Sequence, residues 1–193
     1  MAGERSQVSS GAAPDGVAGL AGAPPREETV RAALVDSGPA VRRYLFGMCG
    51  DWHRAEDLAQ EALLKAWSRR ETFDGRSGVR TWVFAIARNH WLDWLRRRAA
   101  SPREEPMIED SAATRQASPA TAAARAELAE AIRRAVRKLP AEQKEALSMR
   151  ESGGLGFREI AELLGVPTAT VKSRVRYALL KLADELEPFR GEL

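Results

Sequence analysis

Apolar residues along this chain recur at three- and four-residue intervals and rarely alternate with polar ones. That is the period of helices, not strands. Val30 to Val35 predicts a short helix, which Gly38-Pro39 is expected to break. Pro39 then opens a second helix, with Val41, Tyr44, Leu45 and Met48 on one face. Gly50-Asp51 closes it, and Asp51 is placed to cap the next. Ala55, Leu58, Ala59, Ala62, Leu63, Ala66 and Trp67 form the apolar face of a helix over about 53–70. The glycines of Phe73 to Gly78 predict a turn. A long helix follows, over about 79–98, along which Trp82, Phe84, Ile86, Trp91, Leu92, Trp94 and Leu95 are spread.

The second half repeats the helical period. Leu128, Ile132 and Val136 predict a helix over about 124–138, ended by Leu139-Pro140. A further helix over about 141–150 stops at Gly153-Gly154. Phe157 to Leu164 is amphipathic, Gly165-Val166-Pro167 turns the chain, and a last helix spans about 168–186. Its buried face is expected to be Val171, Val175, Leu179 and Leu182. The fold class is therefore all-α, with two small helical domains, 29–98 and 125–188, joined by a flexible linker, 99–124, and a tail at 189–193.

Composition sharpens those boundaries. Residues 1–28 are dominated by Ala, Gly, Pro and Ser and hold few large apolar side chains. Such a segment cannot offset its chain entropy by burial, so it is expected to be disordered. The linker repeats the pattern, lacks aromatic residues and is acidic around Glu104, Glu105, Glu109 and Asp110. The 193-residue length allows one ordinary domain or two small ones. No apolar run approaches the roughly 20 residues that cross a bilayer, and the N-terminus lacks the apolar stretch of a secretory signal. Cys49 is the single cysteine, which excludes an internal disulfide framework. The net charge of +3 is mildly basic. A cytoplasmic protein with acidic partners is expected.

The final helix pair carries the first chemical signal. A helix with Ile160, Ala161 and Leu164 on one face, a glycine turn and a second helix make a helix-turn-helix. Thr170, Lys172, Ser173, Arg176 and Tyr177 fall opposite the apolar stripe of the second helix. Basic and hydroxyl groups on one face suit the major groove, where they reach guanine edges and phosphates. A solvated basic face is the plainer alternative, but turn, face and charge agree on DNA. The 79–98 helix carries Arg80, Arg88, Arg96, Arg97 and Arg98 against one acid, Asp93, with Trp82, Trp91 and Trp94 interleaved. Rings that stack on bases and arginines that follow a backbone suit single-stranded nucleic acid. Trp91 and Trp94 are expected in the core; Trp82, beside the glycine turn, is open to either role.

Asp57-Leu58-Ala59-Gln60-Glu61-Ala62, the Phe73 to Trp82 loop and Trp82-Val83-Phe84-Ala85-Ile86-Ala87-Arg88-Asn89 resemble region 2 of an extracytoplasmic-function (ECF) sigma factor. Leu139-Pro140 and the helix-turn-helix resemble region 4 of that family, so the resemblance covers about 29–187. It implies a sigma subunit that binds core RNA polymerase, directs it to promoter DNA and helps open the strands. Asp57, Leu58, Gln60 and Glu61 would then bind core polymerase. Phe73, Arg76, Ser77, Arg80, Trp82, Arg88, Asn89, Asp93, Arg96 and Arg97 would meet the minus-10 element. Thr170, Lys172, Ser173, Arg176 and Tyr177 would read the minus-35 element, with Arg158 and Arg174 on phosphates. The family also makes an anti-sigma factor a plausible partner.

Rival readings leave weaker traces. The sequence shows no paired carboxylates with metal-ligand spacing, no Ser/His/Asp set and no phosphate-cradling loop. No catalytic residue, metal or cofactor is therefore expected. Cys49 and His53 with His90 could make a three-ligand zinc site, but Gly50-Asp51 separates the first two, and a packed thiol with two ordinary histidines is the simpler account. A stand-alone helix-turn-helix regulator, with 29–98 for dimerisation or sensing, is the main alternative. The region 2 resemblance argues against it.

Overall fold

A computed structural model of the protein describes residues 27–100 and 119–190. The expectations for 1–26, for most of the linker and for 191–193 lie outside the described residues. Every regular element among those described is helical: α1 (Glu27–Cys49), α2 (Trp52–Ser68), α3 (Val79–Ala100), α4 (Pro119–Lys138), α5 (Ala141–Glu151), α6 (Phe157–Leu164) and α7 (Thr168–Glu185). Short 3-10 turns follow α2 and α7.

Two local expectations need correction. The break at Gly38-Pro39 does not occur, and Pro39 lies inside one continuous α1. A proline in a helix interior costs about 3 kcal/mol. The helix persists because Val30, Leu34, Ser37, Ala40, Val41, Tyr44 and Leu45 are all buried along one stripe that spans the proline, while Pro39 itself faces solvent. The other correction is at α4, which begins at Pro119, so that 119–124 is helical rather than linker. Pro119 suits a first helical position, where its missing N–H is not needed.

Other boundaries follow local chemistry. Asp51 caps α2 by accepting the Arg54 N–H at 3.0 Å, which satisfies one of the free N–H groups of a helix start. The α6 helix ends at Gly165, whose φ of +65° is left-handed; glycine takes this conformation without the Cβ penalty. At the other end of α6 the Glu159 carboxylate accepts the Gly156 N–H at 2.7 Å.

The helices α1, α2 and α3 pack on one another; α7 packs on α4, α5 and α6. The halves are also in contact, α5 lying on α1 and α6 touching α3. One continuous apolar core results, from Val30, Tyr44 and Phe84 to Met149, Ile160 and Val171. At the crossing of α1 and α5, Gly47 and Ser148 meet: a Cβ at Gly47 would stand 2.7 Å from Ser148 Oγ. In α7 the buried stripe is Val171, Val175 and Ala178. Leu179, expected inside, is half exposed, because at eight residues past Val171 it has drifted round the helix while Ala178, seven past, stays on the stripe.

Candidate nucleic-acid and partner interfaces

The α2 helix separates its side chains sharply. Ala55, Leu58, Ala59, Ala62 and Ala66 are buried, and the small alanines let α1 and α3 approach closely. Asp57, Gln60 and Glu61 face outward. Leu58 is only 4% exposed and belongs to the core, so its assignment to the polymerase contact is corrected: it lies on the alanine stripe and no partner can reach it. Gln60 Nε2 donates to Glu56 Oε1 at 3.4 Å, and Glu56 accepts from Arg42 at 2.6 Å. That hydrogen bond holds the Glu56 carboxyl below its ordinary pKa. Gln60 also borders an open groove between α1 and α2, walled by Leu34, Val35, Leu63, Leu64 and Trp67. Val35 and Leu64 are about 70% exposed. The sequence reading missed both; their signal was an apolar residue standing off the main stripe of its helix.

Behind Glu61 sits His90 of α3, buried. Lys65 Nζ lies 2.6 Å from its Nδ1, so Nδ1 is the accepting nitrogen. Nε2 lies 3.0 Å from Glu61 Oε2, a contact that would be ionic only with the ring protonated and that is not aligned as a hydrogen bond. Burial, then the Lys65 charge, pushes the imidazole below its ordinary pKa against the opposing pull of Glu61. Cys49, His53 and His90 do not assemble a metal site: the Cys49 thiol donates to Asp51 O at 3.2 Å, His53 is exposed, and no group of three or more potential ligands gathers among the described residues.

The loop between α2 and α3 is tied internally. Asp74 accepts the Arg76 N–H at 3.0 Å and its Nε at 2.5 Å, which lowers the Asp74 pKa. Arg76 is otherwise open to solvent. Phe73 is 5% exposed, with its ring 5.3 Å from that of Trp82. Its assignment to a DNA contact is corrected: the ring fills the core and anchors the loop, so it cannot stack on a base. Trp82 is partly buried against the same core. Trp91 is buried and stacks on the half-buried Trp94, centroids 5.0 Å apart. The guanidinium groups of Arg54 and Arg98 lie over Trp94.

Along α3, Asn89, Arg96 and Arg97 are exposed, and Arg96 is paired with Asp93. Arg88 is different. Its Nε donates to Glu145 of α5 at 2.9 Å, and the two side chains are 24% and 13% exposed. The Tyr44 hydroxyl donates to the same oxygen at 3.5 Å; burial and the Glu145 charge together raise the Tyr44 pKa well above its ordinary value. Nearby, Thr81 Oγ1 donates to Glu159 at 2.5 Å. That bond and the Gly156 N–H lower the Glu159 pKa.

On α7, Lys172, Ser173, Arg176 and Tyr177 are exposed and Thr170 is partly so. The Lys172 ammonium sits 6.0 Å from the Phe157 ring centroid, and Ser173 Oγ donates back to Thr170 O at 2.9 Å. Arg158 at the start of α6 is exposed. Arg174 is not on this face: its guanidinium donates to Glu142 of α5 at 2.6 Å and is 19% exposed.

Two family models match the chain: "Sigma-70 region 2" over residues 34–101 and "Sigma-70, region 4" over residues 129–182. The chain is 34% identical over 173 residues to the ECF RNA polymerase sigma factor SigL of Mycobacterium tuberculosis, covering 89% of this chain and 97% of that one. It is 32% identical over 159 residues to the ECF RNA polymerase sigma factor EcfG of Rhodopseudomonas palustris, covering 82% and 86%. Among solved structures it is similar to the sigma factor RpoE of Bartonella quintana, crystallised with the anti-sigma factor NepR. That match has a TM-score of 0.67 at 26% identity and covers 83% of this chain and 98% of that one.

Proposed function

Because the chain belongs to the ECF sigma factors of bacterial RNA polymerase, we propose a division of labour between its halves. The α1–α2 face binds core polymerase, the 73–79 loop with α3 engages the minus-10 strand, and α7 reads the minus-35 element. The work is binding throughout and calls on no catalytic side chain. It places the protein in the cytoplasm beside the polymerase; no helix among the described residues is long and apolar enough to cross a membrane.

At the core-binding face, Asp57, Gln60 and Glu61 supply polar partners that set register. The adjoining groove at Val35 and Leu64 supplies the apolar area that such a contact needs at its centre. At the minus-10 element, flipping a base costs a few kcal/mol of stacking. Phosphate contacts from Arg80, Arg88, Arg96 and Arg97, with donors from Arg76, Ser77 and Asn89, would offset it. The buried Phe73 and the Asp74–Arg76 pairing support this role by presenting the loop in one shape.

The observation that carries the upstream assignment is the outer face of α7, where Lys172, Ser173, Arg176 and Tyr177 stand exposed past a helix-turn-helix turn. Arg158, exposed near the start of α6, would add a phosphate contact. Arg174, committed to Glu142, supports the helix rather than the DNA contact. The anti-sigma factor in the complex with the Bartonella quintana protein supports a partner of that kind here.

Run-off transcription with purified core polymerase tests the reading. Core plus this protein is expected to transcribe from a cognate promoter, and neither component alone to do so. A protein that shifts promoter DNA by itself yet never supports polymerase-dependent transcription would be a stand-alone regulator.

A further inference from the structure

The C-terminal parts of α1, α4 and α5 line a cavity of about 570 Å³, within the roughly 300–1,000 Å³ of small-molecule sites. None of the residues assigned above to DNA or polymerase lines it. Phe46 of α1, Ile132 and Val136 of α4, and Leu147 of α5 supply apolar walls. Leu147 is 7% exposed and lies deepest, while Ile132, 37% exposed, stands toward solvent.

Four cations border these walls, Arg43, Arg133, Arg137 and Lys144, against one acid, Glu151. Arg133 and Arg137 both pair with Glu130, at 2.8 and 2.9 Å. Arg43 and Lys144 make no hydrogen bond or ion pair among the described residues. Arg43 is exposed, so water can serve it, but Lys144 is half-buried. Burial holds the Lys144 ammonium below its ordinary pKa, against an opposing effect of Cys49. A partly desolvated charge without a counter-charge is unfavourable, and an anion entering the cavity would relieve it.

We infer that this cavity binds a small phosphate monoester with an apolar body: Lys144 and Arg43 take the head, and Phe46, Ile132, Val136 and Leu147 take the body. A phosphate monoester carries nearly two negative charges at neutral pH, matching the two cations that lack an acid. Inorganic phosphate would leave the walls wet, and a neutral hydrocarbon would leave Lys144 uncompensated. Each buried methylene tightens binding about four-fold, and a hydrogen bond to a charged group about ten-fold or more. The inference is independent of the DNA and polymerase assignments, since it shares no residue with them.

Cys49 allows the site to be located. It is the only cysteine of the chain, it lines the cavity and it is partly exposed. The test uses the full chain and octyl phosphate below its micelle-forming concentration, with inorganic phosphate and 1-octanol as the separate parts of the ligand. By isothermal titration calorimetry, octyl phosphate should bind about ten-fold or more tighter than either part. Octanoate, with one negative charge, should bind more weakly than octyl phosphate; equal binding would overturn the assignment of both cations to one head. At ten times its Kd, octyl phosphate should slow alkylation of Cys49 by iodoacetamide about ten-fold, following the free fraction. Binding that leaves Cys49 as reactive as before would put the ligand elsewhere and overturn the site.

Lys144→Gln should weaken octyl phosphate about ten-fold. Its thermal midpoint without ligand should not fall, because an uncompensated charge has been removed. Arg43→Gln, at an exposed position on the facing helix, should weaken the same ligand while leaving 1-octanol unaffected. Ile132→Glu places a carboxylate on the wall and should abolish the protection of Cys49. Absence of binding by the wild type, or undiminished binding by both Lys144→Gln and Arg43→Gln, would refute the inference.

Discussion

Leu58 and Leu64 lie on the same helix and offer a controlled contrast. The first is 4% exposed and the second 68%. Leu58→Ala removes a side chain from a core shared by all three helices of the first half. Fully burying a leucine contributes about 1.5–3 kcal/mol by transfer, and the cavity left behind raises the cost of Leu→Ala to about 2–5 kcal/mol. A domain has about 5–15 kcal/mol of stability in all, so the midpoint of urea denaturation should drop markedly. Leu64→Ala leaves no cavity, and its stability change should stay within about 0.5 kcal/mol. Its effect should appear in binding, because its exposed side chain walls the α1–α2 groove beside Gln60. A side chain at the centre of such a contact costs about 1 kcal/mol or more on truncation. The assays are urea denaturation followed by helix circular dichroism, and co-purification with core polymerase for the folded variants. The reasoning is refuted if Leu58→Ala keeps the wild-type midpoint yet fails to bind polymerase, since Leu58 would then face outward. Leu64→Ala binding with unaltered affinity would remove the groove from the interface.

The remaining expectations concern single residues. Arg176→Ala should cost about 1–3 kcal/mol at one upstream base position and relax preference there, whereas Arg97→Ala should weaken every promoter alike and reduce the salt dependence; transcription across a library of upstream elements at two salt concentrations separates them, and a uniform loss for Arg176→Ala would make it a backbone contact. His90 is held below its ordinary pKa, so below about 6.5 the unfolded imidazole takes up a proton that the folded one refuses. Its contribution is therefore full above that pH and lost as pH falls toward the folded value. The wild type should lose more stability than His90→Gln between neutral pH and pH 5.5, and parallel urea curves for the two proteins would contradict this. Gly165→Ala meets no neighbour within 4 Å but must keep φ at +65°, so it should cost about 1–2 kcal/mol of backbone strain; an unchanged thermal midpoint would show that the turn relaxes.

What the sequence by itself determined was local. Helical period, the Asp51 cap, the glycine after Leu164 and the basic outer face of α7 are properties of neighbours along the chain, and each was legible there. Tertiary packing decided the rest. A proline read as a break because its local cost is real, but a stripe from Val30 to Leu45 buried beneath α2, α3 and α5 outweighs it. Leu58 and Phe73 stand beside residues that face outward, Asp57 and Gln60 in one case and Asp74 and Arg76 in the other, and only the packed structure shows which side of the helix or loop each takes. Arg88 and Arg174 read as free basic groups, because the acids that engage them, Glu145 and Glu142, are distant in sequence. Charge pairing across such a separation has no periodic trace in the chain. It exists only once α5 is laid against α1 and α7, where partial burial makes an unpaired charge costly and brings its partner within reach.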